Sequence, residues 1–308
     1  MRAAARRMGY RPNRTAQALA TGKTHTVGLW MTWIHTAHYA RIADTMQQLA
    51  AQHGYDTLIS KRMWTGLPAG RGRAVAALPS DGVFAVDVGV PRQAAELRRL
   101  RQAMRPGEPL VSLGAFWLED VDHVGVDLYP ARRQAIERLL RTGRRRIAYV
   151  EDEGSHADTR TDARGFAQHD KAYVEAMAEA GRATEYVLVP DQSRSTVCQA
   201  VRKHVAAQGC PDALLCHNDD MAIGAMRALR ELGRRVPEDV AVIGCDGIED
   251  GEYQAPALAT IVQPVAEMCE RAWHFMEQRL AEPSAPAQQA ILTAQFIPRE
   301  SAGATASE

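Results

Sequence analysis

Three short stretches hold the residues best suited to chemistry on a ligand: WIHTAHY at 33–39, HNDD at 217–220 and CDGIEDGEY at 245–253. Between them they offer imidazoles, a carboxamide and several carboxylates. A metal centre finds little support, because His35 and His38 have no second ligand cluster at a plausible spacing. Asp246, Glu249, Asp250 and Glu252 lack the spacing of a calcium loop. No G-x-S-x-G, H-E-x-x-H, P-loop or G-x-G-x-x-G occurs in these loops, so the common hydrolase and phosphate-cradling arrangements are unsupported, and neither an enzyme nor a cofactor is expected. A pocket for a polar ligand accounts better for the acids. Asn218 and Asp219 stand between a strand and a helix, where either residue would also serve as an N-cap. Asp246 directly follows an apolar strand, and its carboxylate suits a hydroxyl-rich ligand. Trp30, Trp33 and Tyr39 gather near the end of the first strand; core packing is their default role, and a flat face for a sugar ring is the alternative.

The elements that must position these loops repeat a simple unit from Thr26 onward, a short apolar strand followed by a helical pattern that stops at glycine. Helices are predicted over Tyr39–His53, Ala131–Thr142, Lys171–Ala180 and Asp220–Leu232, ending at Gly54, Gly143, Gly181 and Gly233. The strands TVGLWM, DALLCH and DVAVIG are apolar throughout rather than alternating, as in parallel sheets covered on both faces. The expected fold is therefore α/β and doubly wound, with about ten strands divided between two sheets. In such folds ligands sit at the carboxyl ends of the strands, where the three stretches fall.

A length of 308 residues suits two domains, and 46% hydrophobic residues with zero formal net charge describe an ordinary globular chain. No apolar run is long enough for a membrane span and none forms a secretory signal, so a cytoplasmic protein with no membrane partner is expected. Five cysteines without a C-x-x-C pair argue against a disulfide framework and a zinc site. The neutral total hides an asymmetry: Arg2, Arg6, Arg7, Arg11, Arg14, Lys23 and Arg41 all precede Asp44, the first acid. A basic end on an acidic body is a footprint of nucleic-acid contact, and a solvated Arg-rich tail explains the charge alone equally well.

Three segments, GYRPNRTAQALATGKTHTVGLW, DALLCHNDDMAIGAMRALRELGRRVPEDVAVIGCDG and APALATIVQP, together resemble the LacI/GalR family of bacterial transcriptional regulators, in order and along nearly the whole chain. The resemblance implies a homodimeric regulator, a repressor, whose hinge helix precedes a periplasmic-binding-protein-like sensor of two doubly wound parallel-sheet subdomains. Residues 1–24 would be the end of the DNA-binding headpiece and the hinge. Residues 25–308 would be the sensor, with one subdomain about 25–125 plus 264–283 and the other about 127–260 plus 288–300. The hinge would run from Arg14 to Ala20, with Asn13, Arg14, Ala16, Gln17 and Leu19 against operator DNA and Ala16 and Leu19 wedged into the minor groove. RAAARRMGY resembles the last headpiece helix, so an upstream start is expected to supply the DNA-reading part; a headpiece-less sugar-binding protein is the alternative.

Effector contacts are implied at Trp33, His38, Tyr39, Asn218, Asp219, Asp246 and Val265, with Met268 beside them on the returning helix. The family's ligand arginine has no clear counterpart in TDARGFAQHDKAYVEAM: Asp162 or His169 takes its place depending on the alignment, and Arg164 or Arg160 stands close enough to substitute. The implied effector is a small hydroxyl-rich molecule, a sugar or nucleoside, that controls DNA binding allosterically through the hinge.

Overall fold

The computed structural model describes residues 20–31, 36–61, 80–87, 107–114, 121–156 and 170–303, with Ala18, Ile34 and Met104. Strands and helices alternate along it: β1 (Thr26–Met31), α1 (Ala37–Gln52), β2 (Asp56–Lys61), β3 (Gly82–Val86), β4 (Leu110–Gly114), β5 (Asp122–Asp127), α2 (Tyr129–Arg141), β6 (Ile147–Asp152), α3 (Glu153–His156) and α4 (Lys171–Glu179). There follow β7 (Glu185–Val189), α5 (Arg194–Gln208), β8 (Ala213–Cys216), α6 (Asp219–Glu231), β9 (Ala241–Asp246), α7 (Glu249–Glu252), β10 (Ala259–Val262), α8 (Val265–Ala281), β11 (Gln289–Thr293) and β12 (Gln295–Ile297).

The twelve strands form two six-stranded sheets, ordered β11-β5-β4-β3-β1-β2 and β12-β10-β9-β8-β6-β7. All pairs are parallel except β10 with β12, which is antiparallel. The inner strands β3, β4 and β8 are buried along their whole length, as their almost wholly apolar sequences require. Period-two geometry sends Ile147 and Tyr149 of β6 to one core and Ala148 and Val150 to another, beneath α5 and α6. On α1 the buried residues Ile42, Met46 and Ala50 recur every four positions, and each large side chain removed from water contributes about 1.5–3 kcal/mol. The four glycine stops behave as expected: Gly54, Gly143, Gly181 and Gly233 take φ of 78°, 86°, 64° and 67° just beyond their helices.

The chain passes between the two lobes three times: from β5 to α2, from β10 to α8, and from β11 to β12. The third passage corrects the expected boundary. Residues 289–293 pair with β5 and complete the first sheet, so the segment expected wholly in the second lobe is divided at Ala294. Asp122, fully buried, fixes this passage by accepting from Arg279 Nε and Nη2 at 2.8 Å each and from the Gln288 backbone N–H at 2.8 Å. Asn13, Arg14, Ala16, Gln17 and Leu19 lie outside the described residues. Ala18, Ala20 and Thr21 are helical, and Gly22, at φ 72°, donates to the Ala18 carbonyl at 2.8 Å and ends the turn.

Candidate functional site

The carboxyl ends of the two sheets face each other, and α1 of the first lobe meets the loop after β9 of the second. Arg41 Nη1 donates to the Gly247 carbonyl at 3.3 Å, and His38 Nδ1 lies 3.9 Å from Asp246 Oδ1. Of the three described non-glycine residues with positive φ, two are Asp87 (41°), after β3, and Asp246 (114°), closing β9. Both carboxylates enter this crevice at a backbone cost that the surrounding contacts must hold.

On the first-lobe side Tyr39 donates to Asp87 Oδ2 at 2.9 Å, and its ring meets that of His38 edge to face. Burial pushes the His38 imidazole down to about 4, outweighing the attraction of Asp87, so the ring is neutral. His38 Nδ1 and Thr36 Oγ1, at the N-cap of α1, are buried without a hydrogen-bond partner. Buried polar atoms are nearly always satisfied, so both keep hydrogen-bonding capacity that the described protein atoms do not fill. Gly114 closes the wall, because a Cβ there would stand 2.0 Å from Asp87 Oδ1.

On the second-lobe side Asn218 caps α6, its Oδ1 accepting from the Met221 backbone at 2.9 Å. Its Nδ2 donates to Gln192 Oε1 at 2.8 Å, and Gln192 in turn donates to Asp152 at 2.8 Å. Asp246 accepts from Gln263 Nε2 at 2.8 Å. Burial, with Asp87 and Asp220 nearby, pushes its carboxyl up to about 7 against the pull of Gln263 and Arg132. Arg132, buried on α2, is a cation of this wall. Burial alone would weaken it, yet Tyr149, Cys245 and Glu151 beside it keep it firmly charged.

Several expected residues are placed elsewhere. Asp219 is fully buried and spent on the protein itself: Oδ1 accepts from Thr260 Oγ1 at 2.6 Å and Oδ2 from the Ile248 N–H at 2.9 Å. It ties α6 to the loop after β9, whose first residues follow Asp246. Val265 and Met268 are fully buried in the core under α8, leaving Gln263 as the residue of that passage that reaches Asp246. Asp250 and Glu252 turn outward to pair with Arg194 and Arg299, so of the acids after β9 Asp246 is the one that enters the crevice. Trp30 packs in a small core with Val83, Ala85, Met104, Leu110 and Val121. Trp33, Arg164 and His169, with His35, Arg160 and Asp162, lie outside the described residues. The three cysteines Cys216, Cys245 and Cys269 are buried thiols, while Cys198 and Cys210 are half-buried.

Comparison with known proteins agrees with this architecture. A family profile described as periplasmic binding protein-like domain matches residues 136–302. The HTH-type transcriptional regulator GntR of Escherichia coli K12 is 27% identical over 264 residues, covering 85% of this chain and 76% of the relative. A solved transcriptional regulator of LacI family from Sanguibacter keddieii DSM 10542 superposes with a TM-score of 0.73 at 30% identity, covering 91% of this chain and 99% of that one. The transcriptional regulator CelR in complex with cellobiose gives a TM-score of 0.72 at 25% identity, covering 97% and 89%. No described helix is long and apolar enough to cross a membrane. With this fold, this crevice and these relatives, the chain belongs to the periplasmic binding protein-like domains and, among them, to the LacI family of transcriptional regulators.

Proposed function

We propose that the crevice between the lobes binds a neutral, hydroxyl-rich effector, a sugar, and that its occupancy sets the protein's affinity for operator DNA. The observation that carries this reading is the pairing of two buried, unpartnered polar atoms, Thr36 Oγ1 and His38 Nδ1, with a carboxylate, Asp246, held across from them on a strained backbone. Hydroxyl groups can donate to the carboxylate and to the neutral imidazole at once, and they can accept from Thr36. The described cations at the crevice are both engaged, Arg41 by the Gly247 carbonyl and buried Arg132 by Cys245, while Asp87 and Asp246 add acids there, which disfavours a phosphorylated sugar or a sugar acid. The cellobiose bound by CelR is an example of a neutral ligand on this fold.

Contacts made from both lobes favour one arrangement of the lobes over another, which is the differential binding that coupling requires. The helical turn ending at Gly22 joins the first lobe directly, so a change in lobe arrangement reaches the DNA-facing end of the chain. The protein acts in this reading as a cytoplasmic homodimer, and sedimentation should give twice the chain mass of 33.8 kDa. The test is a panel of neutral mono- and disaccharides screened by calorimetry, followed by DNA affinity with and without the binder. A typical coupling changes that affinity by roughly 5–150-fold. A crevice ligand that leaves DNA affinity unchanged sinks the regulatory half of the proposal, and a panel without a binder sinks the sugar half.

A further inference from the structure

Beside the crevice, at the end of β6, stands a second cluster that the effector reading does not use. Glu151, His156 and Asp170 each present one ligand atom, and these atoms all lie within 4.8 Å of one another. Glu151 is buried, Asp170 is half-buried and His156 is exposed, so the set has a protected floor and an accessible mouth. His156 Nδ1 and Glu151 Oε2 are 3.3 Å apart.

The residue types and their support fit a metal better than a fortuitous meeting of polar groups. Two carboxylates and one imidazole form the mixed oxygen and nitrogen donor set that suits Zn2+. Zinc bonds of about 2.0–2.2 Å place tetrahedral ligand atoms about 3.4 Å apart, so the Glu151–His156 pair already has the spacing and Asp170 lies within 4.8 Å of both. Tyr186 supports two of the three ligands. Its hydroxyl donates to Asp170 Oδ2 at 2.6 Å, and its ring lies 4.5 Å from that of His156. Orienting partners of this kind are what metal sites use to fix their ligands. His217, next to the Asn218 cap, sets its Nδ1 3.8 Å from the other oxygen of Glu151, which links the cluster to the crevice.

We propose that Glu151, His156 and Asp170 form a binding site for one Zn2+ ion per chain, with Tyr186 as its positioning residue and an open coordination position for water or a ligand hydroxyl. Three protein ligands with a free fourth position are the arrangement of an exchangeable zinc site rather than a closed structural one. The ion ties α3 to the start of α4 and neutralises charge at an acid-rich strand end. This site stands independently of the sugar proposal.

The test is titration of tag-free, chelator-treated protein with Zn2+ by calorimetry, repeated with Co2+ and followed by absorption spectroscopy. One ion per chain is expected, with a cobalt spectrum free of thiolate charge-transfer bands, since no cysteine is a ligand. His156→Ala and Asp170→Asn should each weaken binding by roughly tenfold or more, and Tyr186→Phe by a similar factor, as loss of an orienting partner does. All three variants should keep the parent's melting temperature in chelator. Absence of stoichiometric binding at micromolar metal overturns the proposal. So does binding that survives in both His156→Ala and Asp170→Asn, or a thiolate spectrum.

Discussion

Asp219 and Asp246 differ in what their carboxylates touch, and that difference separates the effects of replacing them. Asp219→Ala strands the Ile248 N–H and the Thr260 hydroxyl in a buried site, and a cost of about 2–4 kcal/mol is expected in denaturant unfolding. Asp246→Asn should leave folding intact and weaken effector binding at least tenfold, read by calorimetry against a cost of roughly 1.5–3 kcal/mol for a hydrogen bond to a charged group. The same carboxyls set a pH dependence. Burial raises Asp246 to about 7, and Asp219 and Glu151 to about 8. Between pH 6.5 and 8 the folded protein keeps protons that the unfolded chain has lost, so the stability of the unliganded protein falls as pH rises through that window. The depressed imidazoles of His38 and His217 act in the opposite sense, but only below their ordinary value of 6.5. Thermal unfolding at pH 6.5 and 8 checks the sign, and Asp246→Asn should flatten the slope. Asn218 and Asp246 were legible in the sequence because each stands in a polar cluster, HNDD or CDGIEDGEY, that follows an apolar strand. Asp87 and Arg132 were not. Asp87 follows its strand without a neighbouring polar signal, and Arg132, in YPARRQAIERLLRTGRRR, reads as one more residue of a basic surface helix until the fold turns it inward.

At the scale of elements the glycines carried the most information, and one of them also sets a packing distance. A Cβ on Gly224 of α6 would lie 2.5 Å from the Arg194 carbonyl oxygen at the start of α5. Gly224→Ala must therefore part the two helices that cover the second sheet, and a loss of about 1–3 kcal/mol is expected in thermal or denaturant unfolding. Asp81 performs a comparable service near the N-terminal end of the described chain. It accepts from the Thr24 N–H at 2.7 Å, the Thr24 hydroxyl at 2.8 Å and the His25 N–H at 2.9 Å, holding the segment after Gly22 against β3. Asp81→Ala should raise amide exchange at residues 24–26 without altering exchange in the core strands. The helix stops were readable because glycine beyond a periodic apolar pattern has one physical meaning. The division of 289–297 between two sheets was hidden, since QAILT and QFI are both short edge strands and Ala294 alone separates them.

Across the whole molecule the repeated strand and helix units disclosed two doubly wound lobes, while the facing of their strand ends emerges only from the three passages between them. One consequence is that a ligand in the crevice bridges lobes whose described residues meet there through Arg41 with Gly247 and the approach of His38 to Asp246. Binding should therefore raise the melting temperature of both lobes together, with a linkage contribution of about 2.7 kcal/mol at a ligand concentration one hundred times Kd. The most direct measurement is calorimetric titration of the purified chain with neutral disaccharides and monosaccharides, alongside their phosphorylated forms, in the parent and in His38→Ala and Asp246→Asn. The account predicts saturable binding of a neutral sugar, little or none of its phosphorylated form, and at least a tenfold loss in both variants. A phosphorylated sugar binding more tightly than the neutral one, or undiminished binding in both variants, would contradict it.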